Sequence, residues 1–239
     1  LLTSTISTIL VGKLSDIYGR KYFILSGIVI FMIGAFLTGT SKDIFHLIAF
    51  RGIQGIGAGI IMATAFTSVG DLFSPRERGR WAGLMSAVFG ISSILGPGLG
   101  GYIVDHLDWH WVFWLFLPLG FVAFFMIFFL FPKTERQESQ SIDFLGSFLL
   151  VLTIVPLLLA FSWAGTKYTW GSSTTLGLFA FTLLALILLL YTETKVKTPV
   201  LPLSLFKNPI ISIANTIGFL MNAGMFGALM YMPFFVQGV

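Results

Sequence analysis

Charged residues divide this chain into long apolar stretches. Residues 22–41, 52–70, 81–104, 111–131, 144–166, 168–192 and 208–239 contain no Asp, Glu, Lys or Arg. A helix needs about 20 apolar residues to cross the hydrocarbon of a bilayer. The pattern therefore predicts seven spans, approximately over 22–40, 44–70, 80–104, 110–131, 144–164, 173–192 and 209–232. Open strands are disfavoured, because lipid offers their backbone groups no partners. Residues 1–12 are apolar but too short to cross alone, and are expected to end a further span near Val11. The chain has no initiating Met and starts inside an apolar segment, so it is read as a piece of a longer protein. The expected fold class is an all-α, polytopic membrane protein.

Composition agrees. Hydrophobic residues make up 56% of the chain and charged residues only 10%, against roughly a quarter charged in soluble domains. Cysteine is absent, which excludes disulfides and thiolate metal sites.

The basic residues orient the chain. With the segment at 12–21 placed in the cytoplasm and the spans alternating, the inner loops hold Lys13, Arg20, Lys21, Arg76, Arg78, Arg80, Lys133, Arg136, Lys195, Lys197 and Lys207. The outer loops hold only Lys42 and Lys167. This positive-inside bias supports each crossing. The net charge of +4 then reflects topology and anionic lipid headgroups, and nucleic acid is not a partner. The links at 41–43 and 105–109 are short, so their flanking helices pack as neighbours. The polar link 132–143 is read as a boundary, and 193–208, with Pro199 and Pro202, as a segment along the membrane surface.

Three segments carry more than hydropathy. In residues 12–21, a charged loop is expected to turn tightly at Gly12 and Gly19, with Asp16, Arg20 and Lys21 beside the membrane. In residues 51–59, Arg51 lies inside a span, where a charge is costly and normally faces a cavity or a partner. Snorkelling toward the outer headgroups is the alternative. Gln54 falls beside Arg51 at helical spacing, and Gly55 and Gly59 form a small-residue face. In residues 90–101, Pro97 removes a helix bond, and Gly96, Gly98 and Gly100 weaken the helix further, so a kink is expected. Close approach of another helix would also explain those glycines. No nucleophile–base set, phosphate loop or metal-spaced grouping appears, so an enzyme is not expected, and neither cofactor nor metal is called for.

These segments resemble the major facilitator superfamily. Residues 12–21 are close to its G-x-L-A/S-D-x-x-G-R-R/K loop, residues 51–57 to R-x-x-Q-G-x-G of the fourth helix, and residues 90–101 to the G-x-x-x-G-P-x-x-G-G pattern of the fifth helix in its antiporters. Trp109–Gly120 resembles the W-R-W-x-F-x-x-N-x-P-x-G run of fourteen-helix drug:proton antiporters, with His110 in place of arginine and Phe116 in place of asparagine. His110 could serve as a proton site or as an interfacial structural residue, and no acid lies within its span. The two helices at 144–164 and 173–192 are what a twelve-helix member would lack. The resemblance thus implies helices two through nine of fourteen.

It implies the following division: 1–131, the N-terminal bundle; 132–143, a cytoplasmic linker; 144–192, two inserted helices; 193–208, a second linker; and 209–239, the start of the C-terminal bundle. It implies proton coupling at Arg51 and Gln54. It implies a cytoplasmic latch of Gly12, Asp16, Gly19, Arg20, Lys21 and Asp71, and an antiporter hinge of Gly90, Gly96, Pro97, Gly100 and Gly101. The implied activity is proton-coupled export of lipophilic drugs by a monomer in a bacterial cell membrane. A metabolite symporter or uniporter, or a transporter-like membrane sensor, would keep the fold without that activity.

Overall fold

A computed structural model describes residues 2–132, 143–196 and 199–238. The helices in chain order are α1 (Leu2–Tyr18), α2 (Arg20–Gly39), α3 (Ile44–Leu72), α4 (Pro75–His106), α5 (Trp111–Trp114), α6 (Phe116–Leu130), α7 (Phe144–Trp163), α8 (Ser173–Glu193) and α9 (Pro209–Gly238). A 3-10 turn, η1, spans Leu203–Lys207. Among the described residues, seven helices are long and apolar enough to cross a membrane, α5 and α6 together forming one of them. The expected spans are all present. The polar link over 132–143 lies outside the described residues except at its ends, as do Lys133, Arg136 and Lys197.

Three boundaries differ from expectation. Gly12 is not in a turn: α1 continues through it to Tyr18, and Gly19 alone separates α1 from α2 at φ 97°. Asp16 and Arg20 pair with each other across the joint, so the polar stretch does not need a loop. α4 begins five residues earlier than expected, at Pro75, where the Ser74 N–H and Oγ both reach Glu77 Oε2, at 3.4 and 2.8 Å. The span at 110–131 is interrupted at Leu115. Pro118 has no N–H to give the Trp114 carbonyl, and its ring crowds that carbonyl.

The closest packing runs through small residues. A β-carbon built on Gly34 would lie 2.5 Å from Gln54 Cα, and one on Gly57 would lie 2.7 Å from Phe31 Cα. Gly27 leaves room for Ile60, whose Cγ2 would meet such a carbon at 2.8 Å. These contacts let α2 and α3 approach backbone to backbone, the usual way to gain dispersion where lipid tails are as apolar as leucine. On its other side, α3 lays Gly55 against Thr3 and Gly59 against Ser4 and Ser7 of α1. Thr8 Oγ1 also donates across that interface to the Gly59 carbonyl, at 3.2 Å. The small-residue face expected at Gly55 and Gly59 is thus a helix contact. Val11, Ile60 and Ala63 form the buried cluster beside it, with Phe23 and Ile30 against them. Buried Thr38, Thr64 and Ser68 satisfy their hydroxyls on carbonyls one turn back, so they occupy the apolar interior without orphan donors.

Two contacts test the topology. Arg20 reaches Asp71 at the end of α3, and Lys21 Nζ donates to the Phe131 carbonyl after α6, at 2.7 Å. Both bring together ends that the charge pattern assigns to one membrane face. On the opposite face Trp114 packs on Gly39 and its Nε1 donates to the Phe36 carbonyl, at 3.4 Å. The α7–α8 pair is a separate hairpin that touches α1. Between its two helices, Gly165 turns at φ 78° and its N–H donates to the Tyr168 carbonyl, at 2.8 Å. At its open end, Asp143 Oδ1 caps α7 by accepting from the Gly146 N–H at 2.8 Å, while Glu193 Oε2 accepts from the Leu201 N–H at 3.1 Å. Both carboxylates are buried.

Candidate functional site

The first constellation lies in the span formed by α3. Asp43 starts the helix by accepting from the His46 N–H, at 2.9 Å, which puts Arg51 two turns inside its N-terminal end. Arg51 Nη1 donates to Gln54 Oε1 at 3.1 Å, the neighbouring position that helical spacing requires. Gln54 is only 4% exposed, because Gly34 of α2 leaves no side chain between the two backbones. Gln54 is therefore a fixed acceptor, while the Arg51 side chain stays open among the described residues. The guanidinium also lies over the Phe113 ring, 5.3 Å from its centroid.

The second constellation lies at the joint of α1 and α2 and the end of α3. Gly19 adopts the left-handed backbone that starts α2, and Arg20 follows it, 7% exposed. The Arg20 guanidinium pairs with Asp16 at 2.8 Å, one turn back across the joint, and donates through Nε to Asp71 Oδ2. Asp16, Arg20 and Asp71 thus form one charge cluster joining α1, α2 and α3. Burial raises the Asp16 carboxyl above its ordinary value of 3.8; the Arg20 charge opposes that shift and the Asp71 charge adds to it. Lys21 is not part of this cluster. It closes the C-terminal end of α6 instead, where a cation suits both the free carbonyl and the helix dipole. Gly12 lies on α1, and a β-carbon built there would meet no heavy atom within 4 Å among the described residues.

The third set, Gly90, Gly96, Pro97, Gly100 and Gly101, lies within α4, which runs unbroken from Pro75 to His106 around Pro97. No heavy atom among the described residues comes within 4 Å of a β-carbon built on any of these glycines or on Gly98. Close approach of a described helix therefore does not account for them.

A family model described as Major Facilitator Superfamily matches residues 1–239, the whole chain. The chain belongs to the major facilitator superfamily. Curated relatives of this facilitator chain include a multidrug transporter protein, MdtP, of Bacillus subtilis, 44% identical over 100% of this chain and 44% of its own length. Multidrug resistance protein 3 of the same organism is 40% identical over 95% of this chain and 44% of its own length. The efflux pump dotC of Dothistroma septosporum is 34% identical over 100% of this chain and 42% of its own length. The chain thus spans less than half the length of these relatives. It is part of a multi-pass integral membrane protein of a transporter family, and the family and the relatives' names point to a transporter, not an enzyme.

Sequence reasoning missed several partners in this facilitator. The aromatic run at 109–116 names no partner in the sequence, yet its Phe113 faces Arg51. No acid lies within the span that His110 opens, but Asp108 just outside it pairs with His110 Nδ1 at 2.8 Å. The signal was there in the i, i+2 spacing across a turn. The buried Asp143 and Glu193 gave no signal, since each stands at a helix end where carboxylates are ordinarily solvated.

Proposed function

We infer that this chain belongs to a secondary active exporter that exchanges protons for drugs or other toxic lipophilic compounds. The observation that carries the reading is Arg51, a permanent charge two turns inside a span, steadied by Gln54 and open on its remaining side. A guanidinium favours the ionised form of any carboxylate that approaches it, which is the property a proton-coupling site needs. The names of the bacterial relatives support the substrate class.

In this reading, Arg51 and Gln54 couple protons. Asp16, Arg20 and Asp71, with Gly12, Gly19 and Lys21 around them, latch the cytoplasmic face, and Gly90, Gly96, Pro97, Gly100 and Gly101 form the hinge. Residues 1–131 belong to one bundle and 209–239 begin the next, with 144–192 inserted between their linkers at 132–143 and 193–208. Substrate binds near the midplane, and the bundles rock around it. The exporter works as a monomer among the lipids of a bacterial cell membrane.

Dye efflux from cells or vesicles carrying the protein is the test. Efflux should collapse when the proton gradient is dissipated. Efflux that persists without the gradient, or that sodium alone drives, excludes proton antiport and leaves a facilitator of another transport mode.

A further inference from the structure

Trp114 is seated on Gly39, where a β-carbon would lie 2.5 Å from its Cδ1, and its indole N–H bonds the Phe36 carbonyl of α2. Trp109 braces the same turn from the other side: His110 stacks on it at 3.8 Å between centroids, and Phe113 meets it edge-on at 6.0 Å. Packed edge-on against Trp109, Phe113 is half-buried and presents its ring to the Arg51 guanidinium at 5.3 Å.

We propose that Phe113 is a positioning residue for Arg51, a cation–π platform that fixes the plane of the guanidinium. Gln54 constrains one nitrogen, Nη1, and a single hydrogen bond leaves the guanidinium free to swing about it. A ring beneath Cζ removes that freedom, because a planar, weakly hydrated cation stacks well on an aromatic quadrupole. Two contacts in place of one hold the unused N–H groups in a fixed direction. The effect of Arg51 on an approaching carboxylate depends on that direction as well as on its charge. Phe113 thus sets the acidity at which the coupling step runs, without itself touching proton or substrate.

The inference rests on the reading of Arg51 as the coupling residue, and the experiment separates the two. Transport is measured against pH in vesicles for Phe113→Leu, Phe113→Tyr and Arg51→Lys, with thermal midpoints alongside. Phe113→Tyr keeps the ring face and should match the parent. Phe113→Leu should slow transport roughly three- to tenfold and move the pH profile by about half a unit, with an unchanged thermal midpoint. If Phe113→Leu does not fold, phenylalanines carrying one, two or three fluorines at position 113 replace it. Fluorination weakens the ring's negative face at nearly constant shape, so the pH profile should move in step with fluorine number. A slowed Phe113→Leu with an unmoved profile, or a fluorine series without gradation, overturns the platform while leaving Arg51's role intact. A fully active Arg51→Lys overturns the coupling reading and the platform with it.

Discussion

Replacing Gly34 by alanine tests the backbone-to-backbone contact on which the Arg51 site is built. The added methyl would stand 2.5 Å from Gln54 Cα and 2.7 Å from Gln54 Cβ. Carbon atoms in contact prefer about 3.5–4.0 Å, so α2 and α3 must separate by roughly 1 Å at that level. The atoms in the way are backbone and a side-chain root, which cannot rotate aside. Overpacking of this kind costs about 1–3 kcal/mol. Gly177→Ala is the control, since a β-carbon there meets nothing within 4 Å. Both substitutions gain the same helix propensity, about 1 kcal/mol, so the difference between them isolates the clash. The variants are purified in one detergent and heated at one rate. Gly34→Ala should melt below Gly177→Ala by roughly 2–12 °C, at about 2–4 °C per kcal/mol for a chain of this size. It should also weaken transport, because Gln54 moves with the displaced backbone. Equal thermal midpoints would refute the close contact and the fixed position of Gln54 with it.

Asp16→Asn should abolish most transport while leaving membrane insertion and substrate binding intact, and normal transport would remove the latch role. Its effect on stability has the opposite sign from that of an ordinary ion-pair deletion. The folded Asp16 carboxyl is raised above 3.8, mainly by burial, so the folded state binds this proton more tightly than the unfolded chain. Stability therefore falls as pH rises from 3.8 through the folded value, and Asp16→Asn should remove that fall without lowering the thermal midpoint at neutral pH. Arg51→Lys should still bind drug yet lose proton-dependent export with a shifted pH profile, whereas Pro97→Ala should slow or bias the conformational switch with the profile unmoved. Equal shifts in both would end that division of roles. Asp43 is lowered below 3.8, chiefly by the His46 backbone N–H. Its contribution to the start of α3 is present above 3.8 and lost as pH falls through the lower folded value, which amide exchange at His46 and Leu47 would detect.

The spans were legible because lipid demands long uncharged runs, and a charge pattern marks where they stop. Arg51 with Gln54 was legible because both lie on one helix, whose spacing makes them neighbours whatever else folds around them. Contacts between helices were harder. Gly55 and Gly59 announce a small face, but nothing in their spacing names Thr3 and Ser4 as what they meet. Gly27, Gly34 and Gly57 gave no face at all, since the residues that interlock belong to two helices. Gly12 misled for a related reason: glycine permits a turn without compelling one, and helix bonds on either side of it outweighed its flexibility. Phe113 was hidden by its company, a run of aromatic residues whose spacing does not say which ring meets Arg51 and which, like Trp114, packs on α2.

The clasp between Glu193 and the Leu201 amide changes how α8 and α9 are connected mechanically. The chain leaving α8 is brought back to the end of that helix before it continues, so the span that can stretch is only Pro202–Asn208. Leu203–Lys207 is wound into a 3-10 turn, and Ser212 Oγ reaches back to the Phe206 carbonyl at 2.7 Å, stapling that turn to α9. A wound strut anchored at both ends passes on displacement that a slack coil would absorb. The start of α9 is thereby tethered to the end of α8 more closely than the number of residues between them requires.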